Sequence, residues 1–180
     1  IERVRAALRA QGLTQMIVCD PKSVWYLTGV AVEPYERLLA LYLPIEGEPV
    51  LFLNSLFNVP NPPCKAVWHT DTDAPVAQIA ATVDAEKPLG IDKEWPAKFL
   101  IPLMEAHPAM KVVLASDCVD DCRACKDAEE QSLMREASRI NDEVNEAAKH
   151  YIKIGMTERE VAEFIDAQYR AHGCEGPSFT

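Results

Sequence analysis

Apolar positions in the C-terminal third of the chain recur at steps of four and three: Leu133, Ala137, Ile140, Val144, Ala147, Tyr151 and Ile154. That spacing draws one apolar stripe along a helix of about seven turns. Asp127, Glu129 and Glu130 crowd its first turn and Lys149 and Lys153 sit near its end, the arrangement the helix dipole favours. Gly155 is expected to act as a left-handed C-cap. Thr157 then opens a second helix, with Glu160 placed to complete a capping box and Val161, Ile165 and Tyr169 on its buried face. Gly173 and Gly176 allow a tight exit, and 177–180 reads as the start of a strand.

Upstream the period changes. Residues 1–11 read as a helix with Val4 and Leu8 inward and Gly12 as its stop. Short apolar runs at 15–19, 38–43, 50–53, 66–69, 89–91 and 112–115 read as strands. The turn Glu46-Gly47-Glu48 predicts a hairpin between the second and third of these. Asp20-Pro21 is a turn, and 58–63, with three prolines, is a loop. A helix capped by Asp73 is expected to run to about Thr82, and another over 95–106. Strands alternating with helices imply an α/β fold, a mixed sheet flanked by helices. The polar, acidic stretch 118–125 is expected to be a linker. It would separate a domain over 1–117 from the first helices of an incomplete second domain over 126–180.

Composition narrows the partners. The formal charge is −10 in 180 residues, which argues against nucleic acid or an anionic membrane surface. No apolar run approaches membrane-spanning length. An apolar fraction of 48% is enough for a sizeable core. Six cysteines without regular pairing point to a reducing cytoplasm. Cys118, Cys122 and Cys125 share the spacing of a radical S-adenosylmethionine cluster motif, and three closely spaced thiols also suit part of a zinc site. Too little chain remains for the barrel such a cluster needs, Ala124 stands where an aromatic is usual, and zinc would require a distant fourth ligand. Reduced thiols in a linker are the expectation. His69, His107, His150 and His172 lie in no metal-ligand pattern, and structural roles are expected for them.

Particular letters go beyond periodicity. Arg123, Lys126 and Asp127, then Met134, Arg135, Ala137, Ile140 and Asp142, then Gly155 to Glu158 with Glu160, Val161 and Ala162, and finally Gly173, Gly176, Ser178 and Phe179 resemble the opening of the pita-bread metallopeptidase domain. That family includes Xaa-Pro dipeptidases (prolidases), Xaa-Pro aminopeptidases and creatinases. Trp25-Tyr26-Leu27-Thr28-Gly29 and Glu33-Pro34-Tyr35-Glu36-Arg37 resemble segments of the creatinase/prolidase N-terminal domain, in the same order.

The resemblance implies a metallo-exopeptidase that cleaves short proline-containing peptides, with two divalent metal ions (Mn, Co or Zn) in the full-length protein. It places the metal ligands beyond the Ser-Phe strand, so no catalytic or metal-binding residue is expected in these 180 residues, and alone they are expected to hydrolyse nothing. Their role would be dimerisation and fencing of the site in a homodimer. Phe179 matches an aromatic that approaches the pocket in relatives, with core packing as the alternative. Glu33, Tyr35 and Arg37 match a loop that relatives hold over the partner subunit's active site. Tyr35 stands where a His is frequent. Glu33 and Arg37 are candidates to grip a dipeptide's termini, unless Arg37 merely pairs with a neighbouring carboxylate. A creatinase-like C–N hydrolase and a non-catalytic peptide- or protein-binding member remain alternatives.

Overall fold

The computed structural model describes residues 1–176 and divides into two units, Ile1–Cys125 and Lys126–Thr180. The expectations for 177–180, Phe179 among them, lie outside the described residues.

The first unit is an α/β fold built on a six-stranded mixed sheet of order β4-β3-β2-β1-β5-β6. Its elements are α1 (Glu2–Ala10), β1 (Gln15–Val18), α2 (Pro21–Thr28), β2 (Ala40–Pro44), β3 (Val50–Asn54), β4 (Lys65–His69), α3 (Pro75–Ala80), β5 (Leu89–Ile91), α4 (Ala97–Ala106), β6 (Val112–Leu114) and α5 (Asp117–Ala124). β2 runs antiparallel to both β1 and β3, with Ile17 opposite Tyr42 and Leu41 opposite Leu51. The other pairings are parallel. Five strands therefore end at the same sheet edge, where β2 begins.

β1 and β3 are buried along their whole length, and this explains their near-continuous apolar runs. Successive side chains point to opposite faces. Met16, Val18, Leu41, Leu43, Leu51 and Leu53 pack with Val4 and Leu8 of α1, Val24 and Leu27 of α2, and Cys118, Val119 and Cys122 of α5. Ile17, Ala40, Val50, Phe52, Leu89 and Ile91 pack with Ile79 of α3 and Leu103 of α4. The result is a sheet covered by helices on both faces.

Three details of this unit differ from the sequence expectation. The stretch 118–125 is not a linker: 117–124 forms α5, with Cys118, Val119 and Cys122 buried in the first core. Spacings of three and four place those residues on one helical face, while Asp117, Asp120, Asp121 and Arg123 give the stretch its polar appearance. The turn at Asp20-Pro21 opens a helix, not merely a bend. The Asp20 carboxylate accepts from the Lys22 and Ser23 amides, Pro21 occupies the first turn, and Gly29 closes the helix at φ 75°. Asp73 does not cap α3; its carboxylate instead accepts from the Thr70 amide and hydroxyl, and Pro75 starts the helix without a side-chain cap.

The second unit holds α6 (Ala128–Tyr151) and α7 (Glu158–Ala171). Both begin with a complete capping box, Asp127 with Glu130 and Thr157 with Glu160. Ile140, Val144 and Ala148 are buried, Tyr151 stacks on Phe164 at 3.9 Å between ring centroids, and the Tyr169 hydroxyl donates to Asn141 at 2.7 Å. Val161, Ile165 and Tyr169 are only half-buried. α6 stops at Tyr151, with Ile152 as its C-cap, so Gly155 serves the turn at φ 95° and not the helix end. The ring stack requires the chain to fold back directly after Tyr151. The N-terminal stretch of the apolar stripe, Leu133 and Ala137, is exposed.

Candidate functional site

The C-terminal sheet edge gathers most of the polar chemistry of the first unit. In open α/β sheets this is the end at which ligands bind, because loops leaving the strands can form a crevice there. Asn54 ends β3 and His69 ends β4, and the two are partners in register. Beyond them lies the turn 70–73, and across β2 lies the loop 33–37.

Arg37 ties these segments together. Its Nε donates to Asp71 Oδ1 and its Nη2 to Asp71 Oδ2, both at 2.9 Å, and Nη1 lies 3.0 Å from Glu36 Oε1. Asp71 also accepts from Asn54 Nδ2 at 2.8 Å, and Asn54 Oδ1 accepts from the Leu56 amide. The hydrogen bond from Arg37 holds the Asp71 carboxyl below the usual carboxylate range, with Asn54 assisting. The Thr70 donors do the same for Asp73. Lys98 donates to the carbonyl of Glu36 and lies 4.7 Å from the ring centroid of Phe99.

These groups line a cavity of about 370 Å³, with Leu38, Pro75 and Phe99 as its apolar wall. His69 also lines it. That ring is 3% exposed, and its Nδ1 has no hydrogen-bond partner among the described residues. Burial pushes the His69 imidazole below its ordinary value, against weaker opposing pulls from Asp73 and Asp71.

A smaller cavity of about 180 Å³ shares Arg37 and Phe99 with the first and is lined by Glu33, Tyr35, Cys19 and Glu94 among others. Two of these lining residues, Cys19 and Glu94, are held by Asp92, whose carboxylate accepts from the amides of Cys19, Asp20 and Glu94. Burial nevertheless pushes the Asp92 carboxyl up, and burial with the nearby Asp92 pushes the Cys19 thiol well up.

Three of the sequence candidates, Glu33, Tyr35 and Arg37, thus meet around one cavity. Arg37 takes the role of the structural alternative: its guanidinium is occupied by Asp71 and Glu36. Tyr35 is 81% exposed and holds a left-handed backbone, φ 50°, which is uncommon for a side chain of its size. Asn54, His69, Asp71 and Lys98 were not singled out as site residues by sequence reasoning. The only signal was two aspartates, Asp71 and Asp73, directly after a strand end.

The cysteine motif does not converge on one point. Cys118 and Cys122 are buried in the core and Cys125 is exposed. Among the described residues no three His, Cys, Asp or Glu side chains are grouped to hold a metal ion. The described residues therefore do not fit a dinuclear centre, and no catalytic step follows from them. No helix among the described residues is long and apolar enough to cross a membrane.

Comparison with known proteins gives two family matches: the creatinase/prolidase N-terminal domain over residues 1–125 and metallopeptidase family M24 over 132–180. An uncharacterized peptidase of Staphylococcus epidermidis is 27% identical over 183 residues, covering 99% of this chain and 52% of its own length. Dipeptidase PepE of Mycobacterium ulcerans superposes with a TM-score of 0.83 at 26% identity, over 99% of this chain and 50% of its own. A dipeptidase of Pyrococcus horikoshii gives 0.77 at 28%, over 95% and 49%. The chain thus spans about half the length of the curated relatives it matches.

Proposed function

The chain belongs to the creatinase/prolidase family and runs on into a family M24 peptidase segment, and from that premise we propose that it is the N-terminal half of a metal-dependent Xaa-Pro dipeptidase. The observation that carries this reading is the order of the two matches. A match to the N-terminal domain over 1–125 is followed by a match to the peptidase family over 132–180, and the dipeptidase structures align over nearly the whole chain. The substrates are short peptides with proline after the scissile bond. The chemistry is supplied by two divalent ions, Mn, Co or Zn, held by residues C-terminal to Thr180.

The part played by this half is spatial. In a homodimer the loop 33–37 fences the active site of the partner subunit, so that only short peptides enter. The Arg37–Asp71–Asn54 chain supports that role, since it pins the base of the loop and leaves Tyr35 exposed at its tip. A cytoplasmic location accords with six free cysteines.

The test compares the full-length protein with residues 1–180, each supplied with Mn²⁺ and Xaa-Pro dipeptides. Release of proline by the full-length protein, abolished by a chelator and absent from 1–180, is the expected result. Activity in 1–180, or none in the metal-loaded full-length protein, would sink the reading.

A further inference from the structure

The cavity at the ends of β3 and β4 has a definite imbalance of unused hydrogen-bonding capacity. Its carboxylates are taken: Asp71 by Arg37 and Asn54, Asp73 by Thr70, and Glu36 by Arg37. Its donors are not. Lys98 reaches a backbone carbonyl, but among the described residues no carboxylate pairs with its ammonium. His69 is buried, and its Nδ1 has no hydrogen-bond partner among the described residues. A buried polar group left unpaired costs free energy, so such a group at a cavity wall marks a place where an external partner is favoured.

We propose that this cavity is a binding site for a small monocarboxylate with an apolar body, of amino-acid size, whose carboxylate lies between Lys98 and His69. The volume of about 370 Å³ falls in the range of small-molecule pockets. Leu38, Pro75 and Phe99 offer the apolar wall against which the body rests. Single charge is favoured over double because the lining already sets three carboxylates, Glu36, Asp71 and Asp73, against two cations, Arg37 and Lys98, and a dianion would add to that excess. A bound carboxylate would also favour the protonated imidazole, reversing the effect of burial on His69. This site goes beyond the peptidase reading and does not depend on it, since every residue involved lies in the first unit.

The experiment is an NMR titration of the His69 imidazole, assigned by loss of its signals in H69Q, with butyrate, its neutral isostere butyramide, and inorganic phosphate as probes. Saturable shifts with butyrate and an upward move of the His69 titration are expected, with no such response to butyramide. K98Q, a change at an exposed position, should weaken butyrate binding about tenfold, the loss of one charge-assisted hydrogen bond. No saturable shift, an equal response to butyramide, tighter binding of phosphate, or an unaltered K98Q would each overturn the proposal. Failure here leaves the dipeptidase assay untouched, and failure there leaves this titration untouched.

Discussion

His69 shows what a fold does to one residue. In sequence it is a histidine at the end of a short apolar run; in the structure it is buried at a cavity wall beside two carboxylates, with its Nδ1 unpaired among the described residues. Desolvation outweighs the attraction of Asp73 and Asp71, so the folded imidazole protonates less readily than the unfolded one. As pH falls the unfolded chain takes up the proton first. The contribution of His69 to stability is therefore full above about pH 6.5, the unfolded value, and is lost as pH falls from there through the lowered folded value. Urea unfolding at pH 7.5 and 5.5 checks this: the wild-type protein should lose more stability between the two than H69Q does. Equal losses would show that the ring does not titrate as its burial dictates.

At the scale of elements, local signals and packing signals separate. α7 announces itself through Thr157 and Glu160, and its capping box forms as the spacing predicts. Thr157→Ala should therefore cost about 1 kcal/mol in the unfolding of the second unit, measured by circular dichroism in urea. α5 is the opposite case. Its charge pattern hides three buried side chains, and Val119 is in contact with the first core. Val119→Ala should cost about 1–3 kcal/mol in the first unit. A linker residue at that position would leave stability unchanged, so the measurement decides between the two readings. The helices that cap both faces of the sheet are thus fixed by apolar contacts more than by their own propensities.

Across the whole molecule the two units differ in how much they bury. Both apolar clusters of the first unit are built from residues up to Cys122. The second unit buries only Ile140, Val144 and Ala148 among its described residues, while Leu133, Met134, Ile152 and Ile154 are exposed. The start of the long helix and the turn that follows it thus carry apolar side chains that their own unit leaves uncovered. Residues 1–125 prepared alone should accordingly keep a cooperative thermal transition with the midpoint of the first unit in the whole chain. A markedly lower midpoint, or a gradual loss of ellipticity, would show that this unit depends on the second for its stability.

Periodicity by itself determined the strands of the sheet, the hairpin between β2 and β3, the long helix and its capped successor, because each depends on spacing of two or of three and four and on residues adjacent in sequence. The order of short motifs carried the family resemblance for the same reason. What only tertiary structure decided depends on partners far apart in the chain. Asp73 reads as a cap, yet Thr70 claims its carboxylate. Arg37 reads as a candidate for substrate, yet Asp71, 34 residues away, neutralises its charge. α5 reads as a linker until the sheet supplies the apolar surface that its three inward residues cover. The cavity of Asn54, His69 and Lys98 was illegible because those residues meet only when β3 and β4 lie side by side and α4 folds back over their ends. No local pattern encodes that approach, since it is set by burial of the whole sheet.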